Sequence, residues 1–335
     1  MATQSIPEEE ITAAFQQLAK GLRDNEATID LLTELTSRID PADIAPFESY
    51  LRWKVASLQH TLSPQKSQFW SAQPDFPTWM SVASANGYER ENGILGIRSG
   101  APNAIFLALL VRRLNDWVPQ VRAAAEKKIV AIAKDTDPHI VATVLCTMLS
   151  RWNSWRRWSN SEKHKLIELV ELEQVSIAIC ERIKSSFSGP MALVLSQACR
   201  CEALDKELPA IAIEAVQPAV RAKAYRMLLE QKAIWLEGRK WKWTDIRYSE
   251  GRYVPTLGER KLQISAPVCS TIENALKDQS VAVRRVGAEK FIQNLDGFGS
   301  RAEAIAIEIG SDKSNSVAER GRFAQRSLST MNSSS

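Results

Sequence analysis

Histidine is nearly absent. His60, His139 and His164 are the whole supply in 335 residues, and none stands at a metal-ligand spacing such as H-x-x-x-H. The five cysteines (Cys146, Cys180, Cys199, Cys201, Cys269) are odd in number and scattered. Only Cys199 and Cys201 are close, and a C-x-C without a second pair is a poor zinc signal. A metal centre and a disulfide framework are therefore not expected, and the thiols read as buried and reduced. There is no G-x-x-x-x-G-K, no G-x-G-x-x-G and no nucleophile elbow. Signals for catalysis are thin, and no cofactor is expected. No apolar run approaches the roughly 20 residues that cross a bilayer. The opening MATQSIPEEEITAAF lacks the basic-then-apolar order of a secretory signal. A cytoplasmic protein with no membrane partner is the expectation.

What is present is helical text. Hydrophobic residues are 44% and charged residues 24%, ordinary for a globular chain long enough for one large domain or two smaller ones. The balance of 43 basic to 39 acidic side chains gives +4, too little for a nucleic-acid coat, so any basic site must be local. Apolar residues recur at helical spacing in Ile105-Phe106-Leu109-Leu110, Val121-Ala124-Ala125-Ile129-Ile132 and Ile140-Val144-Leu145-Met148-Leu149. Gly and Pro, 14 each, mostly punctuate.

Two segments superpose without effort: NDWVPQVRAAAEKKI from Asn115 and KDQSVAVRRVGAEKF from Lys277. In both, an Asp precedes by six residues an Arg that follows a Val and opens an amphipathic run. A third copy from Ser311 keeps Asp312 and Val317 but has Ala318 in place of the Arg. A fourth from Gln217 keeps Val220 and Arg221 without the Asp. Segments at Gly87 and Ser154 are weaker copies, with Arg90 and Arg156 in the equivalent place. The anchors Arg90, Arg122, Arg156, Arg221, Arg284 and Ala318 lie 32, 34, 65, 63 and 34 residues apart. This D-x-x-x-x-V-R pattern over about residues 83–330 resembles HEAT repeats, especially the short kind of phycobilin-lyase-like proteins.

The physics agrees. Asp116 and Asp278 can serve exposed amides in a turn between two helices. Pro119 suits the first turn of the second helix, and Arg122 or Arg284 can reach a neighbouring repeat's Asp. One such pair cannot bury its apolar face alone, so copies stack. The fold expected is all-α: an α-solenoid of HEAT-like helical repeats with one β-hairpin insertion. Its parts are an N-terminal helical segment at 1–62, with helices near Glu8–Leu22, Ala27–Arg38 and Ala42–Leu62, and a Pro-containing linker at 63–82. The solenoid follows at 83–330, then a disordered tail at 331–335.

The long gap between Arg221 and Arg284 holds the insertion, residues 234–263. GRKWKWTDIRYSEGRY, from Gly238 to Tyr253, alternates and is crowded with aromatic and basic residues. A hairpin is predicted with turn chemistry at Ser249-Glu250-Gly251, and Pro255 ending the pairing or lying on an edge. Trp241, Trp243, Asp245 and Arg247 would share one face, with Lys240, Lys242, Thr244, Ile246 and Tyr248 on the other. From Lys232 to Lys261 there are eight basic residues and four acids. A lone hairpin is barely stable in water, so the tryptophan face must clamp onto the helices or meet a partner.

The candidate binding residues are Lys240, Trp241, Lys242, Trp243, Arg247, Tyr248, Arg252 and Tyr253. A second cluster, RWNSWRRW at Arg151–Trp158, adds Trp152, Trp155, Arg156 and Arg157, although as a helix stripe it suits packing between repeats. The leading expectation is a non-enzymatic scaffold or adaptor for a protein partner. The alternative is a nucleic-acid-binding protein, because rings stack on bases while cations meet phosphates. A HEAT-like fold also occurs in alkylpurine DNA glycosylases, and Asp245 between Trp243 and Arg247 is similar to their site in chemical type only.

Overall fold

The computed structural model describes residues 9–14, 25–61, 75–155, 157 and 160–333. Among the described residues the chain is mostly helical with one two-stranded antiparallel sheet. It divides into two compact units, Met1–Ile179 and Cys180–Ser335.

The N-terminal unit holds α1 (9–14), α2 (Asn25–Ser37), α3 (Ile44–Thr61), α4 (Asp75–Ser81), α5 (Gly87–Gly96) and α6 (Ala104–Arg113). It continues with α7 (Pro119–Lys134), α8 (Pro138–Arg151) and α9 (Asn160–Val170), and α10 (Glu173–Ser185) crosses into the second unit. Helix α6 is buried at every residue from Ile105 to Val111. A helix apolar on all sides must sit inside, and α2, α3, α7 and α8 pack around it. Phe106 meets Phe47 and Trp79 edge-to-face, with centroids 6.5 and 6.3 Å away. Trp79 lies in the stretch read as a linker. Most of that linker is outside the described residues, but its last part is α4, and the buried Trp79 makes it core.

The C-terminal unit continues with α11 (Met191–Ala198), α12 (Leu208–Glu214), α13 (Pro218–Glu230), β1 (Lys232–Asp245) and β2 (Glu250–Lys261). After the sheet come α14 (Val268–Leu276), α15 (Val281–Gln293), α16 (Leu295–Phe298), α17 (Ala302–Gly310) and α18 (Asn315–Ser333). Helix α18 thus runs into the stretch expected to be a tail. Pro119, Pro138 and Pro218 each occupy a first helical turn, where a missing N–H costs nothing.

Packing follows the same rule within each unit. Helix α5 packs on α7 and α7 on α9, while α6 packs on α8. In the second unit α11 packs on α13, α13 on α15 and α15 on α18, and α12, α14 and α17 pack on α13, α15 and α18. In the second unit the closest approach is at Gly321 of α18, where an added Cβ would collide with the backbone of Gly310 and Ile309. Gly321→Ala must push α17 and α18 apart. We expect a loss of about 1–3 kcal/mol from overpacking, read as a lower urea midpoint. An unchanged midpoint would show that the contact relaxes freely.

Charged rungs join successive helix pairs. Arg90 forks onto Asp116 (3.0 and 2.8 Å), Arg221 onto Asp278 (2.7 and 2.8 Å) and Arg284 onto Asp312 (2.6 and 3.1 Å). The remaining guanidinium nitrogen of each donates to carbonyls of its own preceding turn: Ser84 and Ala85, Ala215 and Val216, Asp278 and Gln279. Each carboxylate also accepts the backbone N–H two residues on, from Val118, Ser280 and Ser314. Arg122 departs from the pattern. It donates to the Asp116 carbonyl (2.8 Å), and its acidic neighbour is Glu162 at the start of α9, 3.4 Å away.

Candidate binding site

Helix α13 ends at Gln231, whose left-handed backbone (φ 53°) turns the chain directly into β1. The strands pair from Lys232↔Lys261 to Asp245↔Glu250, with extra residues on β1 at Glu237 and Thr244. The hairpin is therefore longer than expected, and Pro255 lies inside β2, opposite Arg239. The turn is Ile246–Ser249, not Ser249–Gly251. Ser249 carries the positive φ (55°), the Ser249 N–H donates to the Ile246 carbonyl, and Asp245 accepts the Arg247 N–H.

Gly251 has another purpose. A Cβ there would lie 2.5–2.7 Å from three ring atoms of Trp241, so the indole lies face-on against the glycine. Trp243 and Tyr253 stand nearly perpendicular to that ring, with centroids 5.5 and 5.0 Å from it. Such edge-to-face pairs are the favoured aromatic geometry. Trp241 remains 43% exposed and Trp243 50%.

The register sorts the rest by face. Because β2 has no extra residue, Gly251, Tyr253, Pro255 and Leu257 share the face of Trp241 and Trp243. Lys240, Lys242, Arg252 and Val254 occupy the other. Lys242 stands directly opposite Arg252, an arrangement of like charges that sheets ordinarily avoid. Arg247 and Tyr248 are exposed in the turn.

The helices hold the base of the hairpin through residues not among the sequence candidates. Arg260 forks onto the buried Asp205 (2.9 and 2.6 Å) and also donates to the carbonyls of Cys199 and Cys201. Burial works to lower the Arg260 pKa, but the Asp205 fork outweighs it and the net shift is upward. Arg200 lies 5.2 Å from the Trp235 ring and donates to the Leu236 carbonyl, as does Gln197, while Lys223 donates to the Ile234 carbonyl. Ala233, Trp235 and Arg260 share one face by register, and it is the face opposite to the Trp241–Tyr253 one. The clamp onto the helices is thus made by Trp235 and Arg260, leaving Trp241 and Trp243 half open.

The second aromatic cluster belongs to the N-terminal unit. Trp152 lies in a short 3₁₀ turn after α8 and is only 1% exposed, so it is core and offers no binding surface. Trp155 is half-buried, and Arg157 is exposed with its backbone N–H on Asn115. Arg156 lies outside the described residues.

No family model, curated protein or solved structure matches this chain. Among the described residues, no helix is long and apolar enough to cross a membrane, and no group of three or more His, Cys, Asp or Glu could hold a metal ion. Cys146, Cys180, Cys199 and Cys201 are buried, and burial pushes the Cys199 thiol far above its ordinary pKa, against reactivity.

Proposed function

We propose that the protein is a non-catalytic α-solenoid of HEAT-like repeats that uses the β1–β2 hairpin to engage a protein partner. The stacking of alternate helices within each unit, and the Asp–Arg rungs between them, support the repeat reading. One observation carries the binding reading. The Arg221–Asp278 rung closes across the hairpin as the Arg284–Asp312 rung closes without one, so the hairpin is surplus to the stack, yet it displays Trp241, Trp243 and Tyr253. Half-open tryptophan and tyrosine beside arginine are the residue types that dominate protein interfaces. Asp245 has a structural task in the turn, which removes the motive for reading it as a catalytic acid.

Affinity capture with the intact chain, with and without nuclease, tests this. The expected result is a protein retained after nuclease treatment and released by Trp243→Ala. Capture that vanishes with nuclease would overturn the protein-partner reading in favour of nucleic acid.

A further inference from the structure

We propose that the outer edge of β1 from Arg239 to Trp243 is a strand-addition site for an extended partner segment in which acidic and apolar residues alternate. This rests on the reading of the hairpin as a protein-binding element and names the chemistry of what it takes.

The argument begins with the phase of the ladder. Arg239 stands opposite Pro255, and proline has no N–H to supply a hydrogen-bonded pair. The pair is therefore of the other kind, and alternation makes Trp241↔Tyr253 and Trp243↔Gly251 the same. Residues of such pairs turn both N–H and C=O outward. The base of β1 has the same phase, because the Ile234 and Leu236 carbonyls are taken from outside by Lys223, Gln197 and Arg200. Side chains of the helices thus close the outer edge of β1 at its base. Beyond Glu237 no such cap is seen among the described residues, and Arg239, Trp241 and Trp243 present an open row of donors and acceptors. The outer edge of β2 differs, since Pro255 removes a donor from its middle. Of the two edges, β1 is the one that can accept a strand.

Side chains then specify the guest. A strand laid along β1 would place alternate residues beside Lys240 and Lys242 on one face and beside Trp241 and Trp243 on the other. Acids suit the first set and apolar residues the second. Between Arg239 and Tyr253 there are five basic residues and two acids, and the Lys242–Arg252 juxtaposition is relieved when a carboxylate comes alongside. Main-chain pairing to an exposed sheet edge gives affinity, and the alternate side chains give specificity. A nucleic acid could satisfy the cations and the rings, but it has no amide row to match the open edge.

The probe is a synthetic peptide alternating glutamate and valine, titrated into the full chain by calorimetry. Saturable binding is expected. Backbone N-methylation at every second residue should weaken binding by about tenfold or more in one phase and hardly at all in the other. Lys240→Glu with Lys242→Glu should weaken the acidic peptide similarly, and a lysine–valine peptide should then bind the variant better than the original chain. The proposal is overturned if both N-methylated phases bind as well as the parent, if a sequence-scrambled peptide binds equally, or if a single-stranded oligonucleotide displaces the peptide and binds more tightly. If the peptide fails while hairpin-dependent capture of a protein persists, strand addition is wrong and the broader reading of the hairpin stands.

Discussion

Asp116→Ala is expected to destabilise the protein by about 3–5 kcal/mol, the cost of leaving buried charge without its partner. The Asp116 carboxylate accepts from Arg90 twice, from Arg113 (2.8 Å) and from the Val118 N–H (2.9 Å). Side chains of Arg90, Arg113 and Asp116 are 1%, 3% and 2% exposed. Arg113 also pairs with the buried Glu48, which holds Arg112 and Arg52. Without Asp116, Arg90 keeps only two carbonyls, and Glu48 must balance Arg113, Arg112 and Arg52 alone. The exposed Arg38–Glu34 pair is the control, and Arg38→Ala should cost no more than about 1 kcal/mol. Urea unfolding followed by circular dichroism separates the two. Equal small losses would show that the buried cluster is solvated in a way its geometry denies.

The same carboxylates set an acid limit. Burial pushes Asp116 and Asp278 up, but the forks from Arg90 and Arg221 and the backbone N–H groups outweigh it, so both titrate below the usual carboxylate range. Asp312 is lowered chiefly by its hydrogen bond from Arg284. A folded-state pKa below the unfolded one contributes stability that is complete above about pH 4 and is lost as pH falls through the depressed folded values. Asp116→Asn, which cannot titrate, should therefore flatten the fall in stability below about pH 4.

Excising Arg239–Pro255 and joining Gly238 to Thr256 through an Asn-Gly turn should abolish partner capture while leaving the helices folded. Gly238 and Thr256 are register partners, so a two-residue turn can close the shortened ladder. Trp235, Arg200 and the Arg260–Asp205 fork remain, and so does the Arg221–Asp278 rung. In the intact hairpin, Trp241→Ala and Trp243→Ala should each weaken partner binding by about 1–3 kcal/mol. The deciding measurements are far-UV circular dichroism, the melting temperature and capture on the same preparations. Aggregation of the excised protein would instead make the aromatic face a cover for helical surface.

The helical content and the place of the hairpin were legible in the sequence, because apolar residues recur at helical spacing and the stretch from Gly238 to Tyr253 breaks it. The distance from Asp278 to Arg284, repeated from Asp116 to Arg122, pointed to the turns, and the doubled gap after Arg221 located the insertion. The order of the partners was less visible. Arg221 lacks an Asp in its own copy yet finds Asp278, and Arg122 lies next to Glu162 instead of an Asp. Contacts between residues far apart in the chain left no local trace: Arg260 and Asp205 are 55 positions apart, and Glu48 meets Arg113 across 65. Gly251 invited a turn reading because glycine permits many backbones, but here it makes room for an indole ring. Trp152 was a binding candidate because its neighbours are arginines, while its spacing suited packing; the turn after α8 carries it into the core.

The rung that spans the hairpin also bears on how cheaply such an element can be acquired. Arg221 and Asp278 are 57 residues apart, against 28 for Arg284 and Asp312. Doubling a loop adds only about 0.6 kcal/mol of closure entropy. The strands shorten even that, since pairing Lys232 with Lys261 brings the ends of α13 and α14 close before the rung forms. The junction after Gln231 is thus a permissive graft point, where a hairpin of different length or sequence could be exchanged with little effect on the helices around it.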